Sequence, residues 1–143
     1  MPTTLTSEAT TVWTGSLAAG SGTVTLDSSH TAEFSVNWKA RAEGVANTTN
    51  PEELLGAAHA SCYSMALANA LATAGHTPTS IQTTAAVTFA AGKGVIGSHL
   101  LVSAKIPGLT DEEFQAFAQD AKINCPISKA LTGIPITIEA ELG

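Results

Sequence analysis

The two cysteines are the residues of this sequence with the widest range of chemistry. Cys62 lies within a long run of helix-forming residues, and Cys125 directly precedes a proline. A thiolate is a nucleophile and a redox centre, whereas a buried neutral thiol is a small, inert core residue. Because an apolar environment raises the pKa of a thiol, a reactive Cys62 needs a cation that another part of the fold brings to it. The residues leave the inert and the reactive interpretation open for both cysteines.

Arg41 is the natural candidate for that cation, and it is the only arginine of the chain. A guanidinium stays charged and presents a planar fork of donors, which suits a thiolate and an oxygen that gains negative charge as the thiolate attacks it. A buried arginine would also need an acid, which Glu52 or Glu53 can supply. The alternative interpretation is an ordinary arginine in a surface loop.

The spacing of these residues limits how they can meet. Glu52 and Cys62 are ten residues apart, which on one straight helix is about 15 Å along the axis and on different faces. One arginine of the same chain cannot easily touch both. Either the helix breaks between them, or Arg41 and Glu52 come from a second subunit. The low charge of the predicted helix favours the second option, and hence an active site at an interface.

Cys125 precedes Pro126 and a predicted helical turn. A thiol at the N-terminus of a helix is exposed to the positive end of the dipole and to free N–H groups. The alternative is a cap of structural value only. The two cysteines are 63 residues apart, so they can pair only if the fold brings them together, and the spacing does not show that.

Other chemistry is less well supported by the residues present. His59 and the two cysteines give three candidate zinc ligands, but the chain has no Cys-x-x-Cys pair and no evident fourth ligand. A buried, hydrogen-bonded His59 is therefore favoured over a metal site. Ser61 and Ser64 flank Cys62 without the glycines of a nucleophile elbow, so a serine hydrolase is unsupported. The remaining histidines are interpreted as surface residues of loops or strands: His30, His76 and His99.

Composition predicts one globular domain over residues 1–143 and excludes several functions. The chain is 44% hydrophobic and 13% charged, with a net charge of −6. Six basic residues cannot neutralise a row of phosphates, so nucleic-acid binding is not expected. The N-terminus lacks a basic start followed by an apolar run, and no segment is apolar over a membrane's thickness. A cytoplasmic protein is expected, with part of its surface covered by another copy of the chain.

The elements that must position these residues follow from the spacing of apolar residues and from cap and turn signals. Strands are predicted at 10–14, 22–26, 33–39, 81–89, 95–106 and 136–142, with a turn at 20–22. Helices are predicted at 51 to about 74, 111 to about 123 and 125–131, and residues 41–49 form a loop by composition. This order predicts an α+β fold with helices on antiparallel sheet. Three parts make up the single domain: a β-rich part at 1–49, a central helix and an α/β part at 80–143.

The central helix has the clearest start signal in the chain. Asn50 can cap it, Pro51 suits its first position, and Glu52 and Glu53 favour the positive end of its dipole. Charge is then almost absent up to Gly75, which ends the helix. A helix that is apolar nearly all round is predicted to be buried.

Two motifs in these elements resemble those of a known family. Residues 50–62 read NPEELLGAAHASC and residues 63–67 read YSMAL, which resembles the signature of the OsmC/Ohr family of osmotically inducible and organic-hydroperoxide-resistance proteins. Residues 125–131, CPISKAL, are similar to the second cysteine motif of that family, and PTSI at 78–81 also fits. Arg41 lies 21 residues before Cys62, which resembles the OsmC branch, because Ohr proteins carry their arginine much nearer the N-terminus.

The resemblance implies a fold and a set of roles. The fold would be OsmC-like: an intertwined homodimer with antiparallel sheets around a long buried helix, and two active sites at the subunit interface. Cys62 would be the peroxidatic cysteine and Cys125 the resolving one, with Arg41 and Glu52 as the family's arginine–glutamate pair. No metal or bound cofactor is implied. The reductant would be a dithiol, with a lipoylated protein as one partner. The bulky residue usual after the arginine is replaced by Ala42, which leaves the substrate size open.

These roles predict a thiol peroxidase that reduces organic hydroperoxides, and hydrogen peroxide as a second substrate, through a Cys62 sulfenic acid and a Cys62–Cys125 disulfide. Two other classes remain as alternatives. One is a redox-sensing or small-molecule-binding protein on the same fold, whose thiols oxidise without turnover. The other is a structural stress protein with inert cysteines. The joint presence of both cysteines, Arg41 and Glu52 favours turnover.

Overall fold

The computed structural model describes residues 3–143 and has six strands and four helices in that range. In chain order they are β1 (Thr10–Thr14), β2 (Ser21–Thr25), β3 (Glu33–Val36), α1 (Trp38–Ala42), α2 (Pro51–Thr73), β4 (Ser80–Ala90), β5 (Gly94–Lys105), α3 (Asp111–Asn124), α4 (Pro126–Ala130) and β6 (Ile136–Leu142). They group into two compact units, residues 1–51 and residues 52–143. The assignment of the whole chain to a single domain stays a prediction.

The first unit contains a three-stranded antiparallel sheet in the order β1-β2-β3. The turn between β1 and β2 comes earlier than predicted, because the Gly20 N–H donates to the Ser16 carbonyl at 2.7 Å and Ser21 already begins β2. A Cβ on Gly20 would lie 2.3 Å from the Ser16 oxygen, so this position requires glycine.

The predicted strand at 33–39 is too long, and the loop at 41–49 begins too early. Asn37 ends the strand and caps α1, since its Oδ1 accepts a hydrogen bond from the Ala40 N–H at 2.7 Å. Trp38 and Arg41 therefore lie on a short helix. The alternation of Phe34, Val36 and Trp38 predicts a continuing strand, but the hydrogen bond from the Ala40 N–H to the Asn37 side chain starts a helix at Trp38 instead.

The second unit contains a mixed sheet in the order β4-β5-β6. The strands β4 and β5 form the predicted antiparallel hairpin. β6, however, pairs with β5 in parallel, with Leu100 opposite Ile138. The α+β class is confirmed, but the prediction of purely antiparallel sheets is wrong for this pair. The reason lies in the connection between these two strands. α3 and α4 carry the chain from the end of β5 back to the end at which β5 begins, so β6 runs in the same direction as β5.

α2 packs one face against this sheet and against α3. Its buried residues recur every three or four positions: Glu52, Gly56, His59, Tyr63, Leu67 and Leu71. At Gly56 the helix lies directly on β4, since a Cβ there would be 2.9 Å from the Ala85 carbonyl oxygen. The Tyr63 hydroxyl donates to the Ala118 carbonyl at 2.9 Å and ties α2 to α3. These contacts give Cys62 a fixed place beside the core.

The opposite face of α2 is exposed in the single chain. Ala57, Ser61 and Asn69 lie on it, and Met65 is 71% exposed. Within the second unit, therefore, the helix is buried on one face only. Among residues 3–143, no helix is long and apolar enough to cross a membrane.

Candidate active site

The fold brings the two cysteines together. Cys62 lies in the middle of α2, and Cys125 joins α3 to α4. Cys62 packs against the core cluster that contains Cys125, and the Cys125 side chain is one of the causes that raise the pKa of the Cys62 thiol. Both are thiols in this structure; Cys62 is partly exposed and Cys125 is 0% exposed. A pair of thiols in this arrangement can be oxidised to a disulfide if the α4 backbone stays in place.

The Cys125 side chain does not cap α4, although Cys125 is the residue directly before that helix. Cys125 ends α3, where its N–H donates to the Ala121 carbonyl at 2.9 Å, and its own carbonyl accepts from the Lys129 N–H at 3.0 Å. Pro126 begins α4, as its fixed φ favours. Within the described residues the Cys125 side chain makes no capping hydrogen bond to α4. The thiol is thereby left to face Cys62.

The electrostatics of this pair hold Cys62 in its protonated form. Burial is the largest cause and raises the pKa of the Cys62 thiol. A hydrogen bond from the Ile127 N–H to the sulfur acts in the opposite direction and lowers the pKa. The hydrogen bond and the charge of Cys125 raise it further. Because the net direction is upward, a Cys62 thiolate at neutral pH needs a cation in addition to the Ile127 N–H.

Arg41 and Glu52 lie in different compact units. Arg41 is in the last turn of α1, in the first unit. Glu52 is in the first turn of α2, and its side chain is buried, with 6% exposed. Their pairing with each other and their approach to Cys62 stay predictions.

His59 is a buried hydrogen-bonded histidine, as expected. It is 0% exposed, its Nδ1 is 2.7 Å from the Ser98 Oγ, and its Nε2 is 2.8 Å from the Ser128 Oγ. Burial lowers the pKa of the ring, which favours the neutral form. Among residues 3–143, no group of three or more His, Cys, Asp or Glu side chains lies close enough to hold a metal ion.

The other three histidines lie in other elements or loops than the two cysteines. His30 is exposed in a loop, with φ of 56°. His76 meets Phe117 edge to face, with ring centroids 6.2 Å apart. His99 in β5 is hydrogen-bonded to Thr137 and, at 2.6 Å, to Glu139. Each has a structural partner or a loop position, and the proposed chemistry uses none of them.

Two residues of the site were not identified from the sequence. Ile127 donates its backbone N–H to Cys62, and Ser128 binds His59. An isoleucine gives no sequence signal for a backbone contact, and a serine inside a helical turn resembles a surface residue. Only the position of both directly after the Cys-Pro pair could have indicated them.

A groove of about 600 Å³ lies beside the cysteine pair in the second unit. Its walls include Ala66 and Ala70 of α2, Phe117 of α3, and Asn124 and Pro126 on either side of Cys125. Its lining also includes the polar side chains of Asn69, Thr73 and Asp120, and neither cysteine is among the lining residues.

Comparison with known proteins finds a family and a relative that match most of this chain. A family model described as OsmC-like protein matches residues 44–139. The chain is 41% identical over 133 residues to the Peroxiredoxin OsmC of Escherichia coli K12, which covers 91% of this chain and 92% of that protein.

Solved structures agree in fold over almost the full length. An organic hydroperoxide resistance protein from Elizabethkingia anophelis, with thiocyanate bound, is 29% identical, with a TM-score of 0.70 over 100% of this chain and 99% of that one. The organic hydroperoxide resistance protein OhrB of Bacillus subtilis is 25% identical, with a TM-score of 0.65 over 97% and 98% of the two chains.

Proposed function

Because this chain belongs to the OsmC-like protein family, we propose that it is a cysteine-based peroxidase that reduces organic hydroperoxides. Its relatives named peroxiredoxin and organic hydroperoxide resistance protein support this activity. The observation that carries the proposal is that Cys62 packs against the core cluster that contains Cys125, because a peroxidase that resolves its own sulfenic acid needs its two thiols close together.

The reaction begins at Cys62. Its thiolate attacks the terminal oxygen of the hydroperoxide, the O–O bond breaks, and the alkoxide leaves and takes up a proton to become an alcohol. Cys62 is oxidised to a sulfenic acid. The sulfur of Cys125 then attacks that of Cys62, hydroxide leaves and is protonated to water, and a disulfide forms. An external dithiol reduces the disulfide by exchange and returns both thiols.

Arg41 supplies the cation that the thiolate needs. It is the only arginine of the chain, and a guanidinium can stabilise both the sulfur and the attacked oxygen. Glu52 orients Arg41. The upward shift in the pKa of Cys62 supports a role for a cation, because the contacts of the second unit alone favour the thiol.

The working unit of this mechanism is a homodimer. The exposed face of α2, with Met65 at its centre, is the surface that we assign to the second subunit. The sparse charge of the chain, at 13%, supports a partly covered surface. On one straight helix, Glu52 and Cys62 are too far apart for one arginine to contact both. In a dimer, Arg41 and Glu52 of one subunit can instead stabilise the Cys62 thiolate of the other.

The dithiol reductant attacks Cys62 rather than Cys125. Cys62 is partly exposed and Cys125 is fully buried, so only the Cys62 sulfur of the disulfide can be reached, and Cys125 is the leaving thiolate. A lipoylated protein is one such reductant. The cytoplasm is the compartment that we expect, because it keeps thiols reduced and supplies dithiols.

The test is intact mass after one equivalent of an organic hydroperoxide. The reduced protein should lose two hydrogens within seconds, and Cys62→Ser should abolish peroxide consumption. With a dithiol present, many equivalents should be consumed, which separates turnover from the single oxidation of a redox sensor. Unchanged mass and undiminished thiol content would contradict the proposal.

A further inference from the structure

His59 connects α2 to the short helix that carries Cys125. α4 has only five residues, Pro126–Ala130, and its N-cap residue Cys125 gives it no side-chain hydrogen bond. A helix of this length is unstable without tertiary contacts. One such contact is the hydrogen bond between the Ser128 Oγ and the His59 Nε2, at 2.8 Å and fully buried. A buried hydrogen bond of this kind holds a segment in place because breaking it leaves a polar atom without a partner.

The contact lies beside the reacting sulfur. His59 and Cys62 are three residues apart on α2, about one turn, and Ile127 and Ser128 are consecutive on α4. Ile127 donates to the Cys62 sulfur while Ser128 binds His59. One turn of α2 thus meets the first turn of α4 at two adjacent points. A shift of α4 that broke the Ser128 contact would also move Ile127 and Cys125 away from Cys62.

The ring is held on both sides. The Ser98 Oγ of β5 contacts Nδ1 at 2.7 Å, so each ring nitrogen has one hydroxyl partner. A neutral imidazole has one donor and one acceptor nitrogen, and a hydroxyl can complete either. In the part of the chain that the structure describes, no buried side-chain nitrogen or oxygen lacks a partner. The Ser98–His59–Ser128 chain therefore links the sheet, α2 and α4 in one fixed geometry.

We propose that His59 is a positioning residue for disulfide formation: through Ser128 it holds α4 so that Cys125 stays beside Cys62. The proposal deepens the proposed function and rests on it for the sulfenic acid step. The Cys125 sulfur must approach the Cys62 sulfur opposite the departing hydroxide. A small displacement of α4 slows that attack, and the sulfenic acid then survives to meet a second peroxide and become a sulfinic acid.

The test compares two serines that bind the same ring. Ser128→Ala removes the link to α4, whereas Ser98→Ala removes an equivalent buried hydrogen bond on the β5 side and serves as the matched control. Rapid-quench intact mass after one equivalent of hydroperoxide separates sulfenic acid from disulfide. We expect disulfide formation to be on the order of tenfold slower in Ser128→Ala and within about twofold of wild type in Ser98→Ala. The doubly oxygenated sulfinic form should accumulate only in Ser128→Ala.

A second pair of variants acts on the ring itself. The amide nitrogen of asparagine occupies about the position of Nδ1, and that of glutamine about the position of Nε2. His59→Gln should keep the Ser128 link and resolve at close to the wild-type rate, whereas His59→Asn should keep only the Ser98 link and resolve slowly. This pair keeps the proposal falsifiable if Ser128→Ala does not fold, as judged by circular dichroism.

Diamide distinguishes failure of this inference from failure of the peroxidase function. It adds to one thiol, and attack by the second thiol forms the disulfide and releases a hydrazine, so no peroxide is needed. The order of rates among the four variants should be the same with diamide as with hydroperoxide. Equal slowing by Ser98→Ala and Ser128→Ala, or no slowing by Ser128→Ala and His59→Asn, would overturn the positioning role even if peroxide turnover is intact.

Discussion

At the scale of single residues, the two thiols of the site differ in their exposure and in their surroundings. Cys62 is partly exposed and the Ile127 N–H lowers its pKa, while Cys125 is fully buried and raises the pKa of Cys62. The buried neighbour has a cost, because Cys125 raises the pKa of the very thiol that must ionise. A peroxidase therefore has to offset this effect with a cation, which is the role that we propose for Arg41.

Replacement of Cys125 by alanine should lower the pKa of Cys62. It removes a hydrogen bond and a charge that both favour the protonated form. The thiolate fraction, and with it the rate of alkylation by iodoacetamide, should therefore rise at a lower pH than in wild type. The measurement is the alkylation rate of Cys62 against pH, followed by intact mass.

Cys125→Ser is the matched variant for this measurement, because it keeps a hydroxyl that can hydrogen-bond and removes the ionisable sulfur. Its midpoint should lie between those of wild type and Cys125→Ala. A midpoint for Cys125→Ala at or above that of wild type would show that Cys125 does not hold Cys62 in its protonated form.

At the scale of elements, the site depends on how closely α2 lies on the sheet. Gly56 allows the helix to approach β4, with the Ala85 carbonyl directly under it. Ser64 reinforces the same contact through a hydrogen bond to the Thr83 hydroxyl at 2.8 Å. Cys62 lies six positions after Gly56 on the same helix, so a displacement of the helix here also moves the sulfur.

Gly56→Ala should destabilise the protein. Alanine gains about 1 kcal/mol over glycine from helix propensity, but its Cβ would lie 2.9 Å from the Ala85 oxygen. Since that oxygen belongs to the backbone of β4, the helix must move, and overpacking of this kind costs about 1–3 kcal/mol. We expect a lower free energy of unfolding in urea and slower disulfide formation.

Gly133→Ala provides the control, because nothing lies within 4 Å of a Cβ at that glycine. Its free energy of unfolding should stay within about 0.5 kcal/mol of wild type. If the two variants prove equally stable, the close approach of α2 to β4 is not a constraint on the fold.

At the scale of the whole molecule, the single chain leaves an apolar surface uncovered. Met65 on α2 and Ile123 at the end of α3 are 71% and 65% exposed. Exposed apolar side chains on an alanine-rich helix face are typical of a surface that another protein molecule covers. The homodimer that we propose would bury the α2 face and complete the environment of Cys62.

Met65→Lys should shift the protein from dimer to monomer. A charge placed in an apolar interface loses its hydration without gaining a partner, which is strongly unfavourable. Light scattering at micromolar concentration should give twice the chain mass for wild type and about one chain mass for the variant. Peroxide turnover should fall in parallel, because the proposed Arg41 and Glu52 of the second subunit are lost.

Lys122→Ala is a control for the dimer, since it removes a half-buried charge on α3, with its hydrogen bond to the Ile136 carbonyl, and leaves the α2 face unchanged. It should remain dimeric. A wild-type monomer at micromolar concentration would contradict an interface active site, whatever the effect of Met65→Lys.

The sequence by itself determined the elements and the chemistry that they carry. α2, α3, the β4–β5 hairpin and β6 lie within one or two residues of their predicted bounds, because helix and strand periods and caps are local properties of the chain. The same holds for the buried state of His59, while the role of the two cysteines stays a prediction. The cap at Asn37 is also local, but the alternation that runs through it conceals the start of α1.

Only the tertiary structure decided which distant residues meet. Residues far apart in sequence are joined by the packing of Cys62 against the cluster that contains Cys125, by the Ser98–His59–Ser128 chain and by the parallel pairing of β5 with β6. Such contacts depend on which apolar faces can be buried together and on the path of the connecting chain. The spacing of apolar residues within one helix or strand does not determine which distant elements pack together. The residues could therefore identify two thiols capable of redox chemistry, while packing decided which elements lie beside each of them.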